Sequence, residues 1–575
     1  MRGIPLGVAV VAAALYLLRL GHAPFVDPPE GLHAQIAREM LRGGDWITPH
    51  VDGVRYFDKP PILYWLMASS FTVAGVGEAA ARVWSALAAV GIAAVTARLG
   101  FMLGGARVGM LAGLMVIANL GMYLYGRLVK PDMVFILCIV LAYAGFAVAY
   151  KGAGRWGLAV FYASLGVATM TKDVLGAAGP LVVVALFFAL TRERPLAPWA
   201  PWWGVLLLLI IAVPWYGAVE ARNPGFLWYT LVDNHVLNFA RHRVFPDEDV
   251  PLGTLQFLGV TFLAFLPWSL AAPWAVARAL RRPWEDAIAR LWLLVALWPL
   301  VVIGFFAVAP FKLPHYGLPA FPALALLVAR VWDESIDAVP GSLRPRALIM
   351  PLVVAFAVMS VMLGLALANR LPVPDGVLGN VDLATRNLAA RGQVIDDAPS
   401  DLYMPLLRTC TVIFGVGTLV LAWAAWRRRP DLGAWAAVAV TLAFLPTAGD
   451  GMAIFARTRS ARAVTETLML RVQPGDQVLH EGPLENSGSV LLAIEEPVTV
   501  VNGLQSNLAF GATFPEARGR FWDGARLAQE WPKPGRRFLV TGVMPERSVV
   551  RALPPDTVRL VVHGGGRWLY TNVEK

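Results

Sequence analysis

The chain has 575 residues, of which 57% are hydrophobic and 15% charged, with a net charge of +10 and a mean hydropathy of +0.59. A soluble domain carries roughly a quarter charged residues, so this composition excludes an ordinary soluble enzyme and points to a polytopic membrane protein. The surplus of Lys and Arg does not make a nucleic-acid partner, because it is spread over separate short loops and forms no single basic face.

Arg2 and the apolar run to Leu20 resemble a signal peptide, but His22 to Asp27 lacks a small-x-small cleavage site. An uncleaved first helix is expected. Hydropathy then predicts about thirteen spans, near 6–23, 79–97, 106–126, 132–150, 156–170, 174–191, 202–219, 254–275, 288–309, 315–331, 347–368, 404–425 and 433–449. Cys138 and Cys410, the only cysteines, fall inside two of them, which argues against a disulfide framework or a reactive thiol.

Alternate connections are short and basic: Arg98 and Arg107, Lys151 and Arg155, Arg192 and Arg194, Arg281 and Arg282, Arg344 and Arg346, Arg427 to Arg429. Positive charge marks cytoplasmic loops, so the N-terminus is expected in the cytoplasm and, with an odd number of spans, the C-terminal region outside. The long loops 24–78, 220–253 and 369–403 then face outwards. Residues 1–450 read as the membrane domain and 451–575 as a soluble α/β domain, with predicted strands at Ser489–Ile494, Val498–Val501, Arg537–Thr541 and Val558–Val562 separated by turn signals.

The first external loop is patterned. Asp27-Pro-Pro-Glu30 precedes a helix with apolar residues at helical spacing, and either acid would serve as its cap. Arg55-Tyr-Phe-Asp-Lys-Pro-Pro61 follows, and then Ile62–Val73, apolar but too short to span, which is expected to lie along the interface. Ala34-Gln-Ile-Ala-Arg-Glu-Met40 with Gly44-Asp-Trp-Ile47, Arg55-Tyr-Phe-Asp-Lys-Pro-Pro61, Val129-Lys-Pro-Asp132, Met170-Thr-Lys172, Pro214-Trp215, Asn223-Pro-Gly-Phe226, Asn234-His235, Leu266-Pro-Trp-Ser269 and Lys312-Leu-Pro-His-Tyr316, in this order, resemble the polytopic GT-C glycosyltransferases. Within that superfamily the likeness is to the bacterial aminoarabinose transferase and protein O-mannosyltransferase group.

The resemblance implies an all-α GT-C membrane domain that moves a sugar from a polyprenyl phosphate, such as undecaprenyl phosphate, to a lipid A-like or other glycolipid acceptor in the bacterial inner membrane. Such transfer needs a carboxylate base for the acceptor hydroxyl and cationic or phenolic donors for the leaving phosphate. The candidate catalytic acids are Asp27, Glu30 and Asp132, and the candidate phosphate and donor ligands are Arg55, Lys59, His235, Lys312 and Tyr316. The family often reads Asp-Glu where this chain has Pro29-Glu30, which leaves open whether Asp27 or Glu30 inherits the missing acid. It also tends to place an acid before His235 and an arginine three residues after it; here stand Asn234 and Asn238, and Arg241 or Arg243 would have to supply the charge.

Simpler roles stand beside these: helix caps for Asp27, Glu30 and Asp132, interfacial snorkelling for Lys312, a solvated side chain for His235. No cofactor is required, although the resemblance implies a candidate divalent metal held by Asp58 and His235. A transporter or a non-catalytic scaffold is the competing class. The sharing of one external cavity by Asp132 and Asp27 or Glu30 would separate a transferase from either. Nothing in the sequence sets the sugar, the acceptor or the oligomeric state.

Overall fold

Long apolar sequence forms helices because every backbone group then bonds within its own segment, which a hydrocarbon surrounding demands. A computed structural model describes residues 3–28, 30–246, 250–370, 399–495, 497–504 and 506–573. Pro29 and most of the expected loop 369–403 lie outside the described residues.

Seven helices among the described residues are long and apolar enough to cross a membrane: Glu78–Ile117, Asp132–Gly152, Ala197–Arg222, Ala287–Val308, Pro345–Leu367, Asp401–Arg427 and Pro430–Arg459. Gly3–Leu17, Ile62–Ala74, Leu175–Thr191 and Thr254–Ala264 are shorter apolar helices. The chain is an integral membrane protein, with fewer long helices than the expected spans. Two differences have a clear local cause. The expected span 254–275 is cut into Thr254–Ala264 and Ala272–Arg281 around Pro267, which has no N–H to continue a helix. The expected span 315–331 opens as a tight 3-10 turn, Pro314–Ala320, before the helix Phe321–Ile336. The helix Glu78–Ile117 breaks at Gly105, where φ is 85°, between the two spans expected there.

The basic loops meet at one end of the bundle. Arg107 pairs with Asp333 and Asp337, Arg278 and Arg282 with Glu334, and Arg290 with Glu193. The first loop occupies the other end with two short helices, α1 (Glu30–Gly43) and α2 (Ile62–Ala74), joined by a small hairpin, β1 (His50–Val51) and β2 (Val54–Arg55).

The C-terminal region holds six strands: β3 (Gln477–Glu481), β4 (Val498–Val501), β5 (Phe521–Trp522), β6 (Arg537–Thr541), β7 (Arg559–Gly564) and β8 (Arg567–Thr571). Their order is β5-β4-β3-β6-β8-β7, parallel from β5 to β6 and antiparallel at β8 and β7. Alternation sends Leu479, Val501 and Leu539 onto Leu527 and Trp531. Val478, Val500, Phe538 and Val540 point the other way, into one core with Leu32, Ile36, Tyr64 and Met67 of the first loop. The sheet and the first loop are therefore built around shared apolar residues.

The segment Ser489–Ile494 is not the expected strand. Gly488–Leu491 is a single helical turn pressed against α1, so close that a Cβ on Gly488 would lie 2.3 Å from the Leu32 nitrogen. Gly31 and Gly488 permit this contact, and it overrides the β propensity of the valine and leucines that follow.

Candidate active site

Two adjoining chambers open where the first loop meets the helices. The larger, about 350 Å³, is walled by Phe135, Ile139, Val182, Trp298, Val302 and Phe305, all apolar. The smaller, about 120 Å³, is lined by Asp58, Lys59, Thr230, Arg243 and Asn507 among others. Lys172, Asp173, Asn234, His235, Asn238, Phe311 and Tyr316 line both, forming a polar neck between an apolar pouch and a charged one.

At the neck, Lys172 Nζ donates to Asp132 Oδ1 at 2.5 Å and lies 4.8 Å from the centre of the Tyr316 ring. Asp132 is the first residue of its helix, and its carboxylate is buried with His315 Nε2 at 3.6 Å. Its position at the helix start favours negative charge, and the carboxylate in turn fixes the ammonium that faces the chambers.

In the polar chamber Asp58 accepts a hydrogen bond from Lys59 Nζ at 2.7 Å. Burial disfavours the Asp58 charge, but the Lys59 ammonium more than offsets it, and the carboxyl is held below its ordinary range. Arg243 is anchored by Asp233 and Asn234.

The candidate residues divide by place. Lys59, His235 and Tyr316 line the chambers. Asp132 stands one contact behind, through Lys172. Asp27 and Glu30 line neither chamber, so the three acids do not share one mouth. Glu30 is fully buried: Oε1 accepts from Arg82 Nε and the Val129 nitrogen, each at 2.8 Å, and Oε2 from Arg82 Nη2 at 2.6 Å and the Val26 nitrogen at 2.9 Å. Asp27 accepts from the Ser489 nitrogen at 3.0 Å and from the Ser489 hydroxyl, and burial pushes its carboxyl up to about 6.

Arg55 is also elsewhere. It pairs with Glu516, donates to Asn223 Oδ1 at 2.7 Å and lies over the Phe514 ring, so it ties the first loop to the sheet domain. Lys312 lines neither chamber, and its ammonium donates to Thr254 Oγ1 and to the Ala307 and Ala309 carbonyls at 3.0, 3.1 and 2.7 Å. It closes the end of the helix Ala287–Val308.

Asp58 and His235 face the same chamber, but Asp58 is held by Lys59 and His235 Nδ1 lies 2.6 Å from the Thr230 carbonyl. No group of three or more His, Cys, Asp or Glu side chains that could hold a metal occurs among the described residues.

Lys172 and Asp173 line both chambers without standing among the candidates the sequence offers. Lys172 lay in plain view inside Met170-Thr-Lys172, at the predicted outer end of a span, and a buried acid is what turns it from an interfacial anchor into a site residue.

Residues 29–230 match the family model described as dolichyl-phosphate-mannose-protein mannosyltransferase. A protein of Shewanella sediminis named undecaprenyl phosphate-alpha-4-amino-4-deoxy-L-arabinose arabinosyl transferase is 31% identical over 330 residues, 55% of this chain and 57% of its own. The protein of that name from Edwardsiella ictaluri is 30% identical over 65% of this chain and 66% of its own. The alignments thus span less than two thirds of these relatives' length. The crystal structure of ArnT from Cupriavidus metallidurans bound to undecaprenyl phosphate superposes with a TM-score of 0.78 at 23% identity, covering 99% of this chain and 98% of that one. The chain has that fold, and with its apolar helices it is an integral membrane protein.

Proposed function

We propose that this chain, which carries the mannosyltransferase family's segment over residues 29–230 and the GT-C fold throughout, transfers a sugar from a polyprenyl phosphate to an acceptor at the outer face of the membrane. One observation carries the reading: an apolar pouch and a charged pouch joined by a neck that holds Lys172 and Tyr316. A polyprenyl-phosphate sugar has the same three parts, a hydrocarbon tail, an anionic link and a polar head. The relatives' names specify an undecaprenyl phosphate donor, and the structural neighbour holds undecaprenyl phosphate. A lipid A-like glycolipid is the acceptor class we favour. The gathering of the basic loops at the opposite end of the bundle supports a cytoplasmic N-terminus and a periplasmic sheet domain at residues 451–575.

In this reading the tail fills the apolar chamber and the phosphate lies at the neck. The acceptor hydroxyl attacks the anomeric carbon from the face opposite the phosphate, the bond from that carbon to the phosphate oxygen breaks, and the configuration inverts. Lys172, Lys59 and the Tyr316 hydroxyl meet the charge growing on the phosphate. Asp58 takes the proton, because it is the carboxylate that lines the polar chamber alone and is held ionised.

The test is transfer of labelled sugar from undecaprenyl phosphate to extracted glycolipid by the purified protein in nanodiscs. Label found in a glycolipid band supports the reading, and donor consumed by neither glycolipid nor any other envelope acceptor would sink it. Two lysine variants sharpen it. Lys172→Met should lower turnover at least tenfold, since a charge-assisted bond to phosphate contributes about 1.5–3 kcal/mol. Lys312→Ala should instead lower thermal stability by about 1–3 kcal/mol, by stranding the carbonyls at the end of its helix, and leave the donor KM unchanged. A raised donor KM in Lys312→Ala would return that lysine to the phosphate site.

A further inference from the structure

We infer that Asn507, supplied by the sheet domain, reads a hydroxyl of the donor sugar, so that the periplasmic domain contributes a specificity-determining residue to the chamber. This rests on the reading of the chambers as a polyprenyl-phosphate sugar site. Every other residue lining the polar chamber lies at or before Tyr316; Asn507 alone comes from the C-terminal region. It lines the polar chamber and not the apolar one. With the tail in the apolar pouch and the phosphate at the neck, the group beside Asn507 is the sugar.

The segment that carries Asn507 is held in place on both sides. The Asn507 backbone nitrogen donates to Glu485 Oε1 at 3.0 Å, and the Leu508 nitrogen to Ser506 Oγ at 3.1 Å. Phe510 is buried in the membrane domain, stacked on Tyr229 with ring centres 4.6 Å apart and planes 7° from parallel, and 5.2 Å from Phe57. Gly511 passes so near the hairpin that a Cβ there would fall 1.8 Å from the Arg55 carbonyl oxygen. Three residues on, Phe514 lies beneath the Arg55 guanidinium at 4.3 Å. A loop with no task at the chamber would not need such a clamp.

Its carboxamide, by contrast, makes no hydrogen bond to the described residues. Asp58 and Lys59 hold each other, and Arg243 is engaged by Asp233 and Asn234. An amide with two donors and one acceptor pairs with a sugar hydroxyl in either sense, and it adds no charge beside the phosphate. A pocket built to bond a hydroxyl also discriminates against ligands that lack it.

The test compares affinities of the full-length protein in nanodiscs for bare undecaprenyl phosphate and for undecaprenyl phosphate carrying 4-amino-4-deoxy-arabinose or mannose. In Asn507→Ala the gain in affinity due to the better-bound sugar should fall roughly three- to tenfold, the worth of one neutral hydrogen bond, with binding of the bare carrier unchanged. Leu504→Ala, an exposed position on the same loop, should leave both affinities as in the wild type. A wild-type sugar preference in Asn507→Ala would overturn the assignment, as would an equal loss for bare and sugar-linked carrier, which marks a structural role. If the wild type binds neither carrier, the reading of the chambers fails and Asn507 loses its role with it.

Discussion

Asp58→Asn is expected to lower the rate of sugar transfer by about a hundredfold or more, while donor KM stays within a few-fold of wild type. The amide keeps the shape of the side chain and an acceptor for the Lys59 ammonium, which now lies 2.7 Å from Oδ2. It loses the basicity needed to take the acceptor's proton. The alternative role for Asp58 is to orient Lys59, and that role predicts a different pattern, a modest change concentrated in donor binding. The pH profile gives an independent reading. Catalysis by the ionised carboxylate is lost as pH falls through the folded-state pKa, which Lys59 holds below the ordinary aspartate value. The wild-type rate limb set by Asp58 should therefore lie below about pH 4, with no loss from this group between pH 5 and 8. A rate for Asp58→Asn within threefold of wild type would move the base to Asp173, the other carboxylate that lines the polar chamber.

The membrane character, a first loop patterned around the helix Glu30–Gly43 and a C-terminal region with mixed strands and helices were all legible in the residues. Each is written in a local signal, hydropathy or periodicity, that tertiary context did not reverse. What was not legible is the second layer of contacts. Lys312 and Lys172 look alike in sequence, each a lysine at the outer end of a span. Only folding shows that the first meets three oxygens at the end of its own helix and the second meets Asp132 at a cavity neck. Glu30 is a cap in form, but its partner Arg82 stands 52 residues away, and no local rule pairs them. Ser489–Ile494 carries β-forming residues, yet a glycine-to-glycine contact with the first loop made it a helical turn. The sequence neighbours of Arg55 point to a phosphate ligand, and Glu516 claims it from 461 residues away.

Glu30 yields the largest expected loss of stability. Its carboxylate accepts four hydrogen bonds, two from Arg82 and one each from the Val26 and Val129 nitrogens, with both side chains essentially inaccessible to water. It thus joins α1, the helix Glu78–Ile117 and the segment entering Asp132 at a single point. Glu30→Ala leaves the guanidinium buried without its counter-charge, and breaking such a pair from one side costs about 3–5 kcal/mol. Arg82 would keep its bonds to the Ala23 and Pro24 carbonyls at 2.6 and 2.9 Å, so it stays in place as an uncompensated cation. The expected result is a thermal midpoint many degrees below wild type in detergent. The double variant Glu30→Leu with Arg82→Met should recover part of that loss, because removing both charges spares the desolvation that one alone must bear. Glu30→Gln separates structure from chemistry. As a structural pillar, Glu30 predicts lower stability for this variant but a turnover near wild type at temperatures where it remains folded. As the catalytic base it would show the reverse, a normal midpoint with turnover down a hundredfold, and that outcome would place the chemistry at α1 instead of in the chamber beside Asp58.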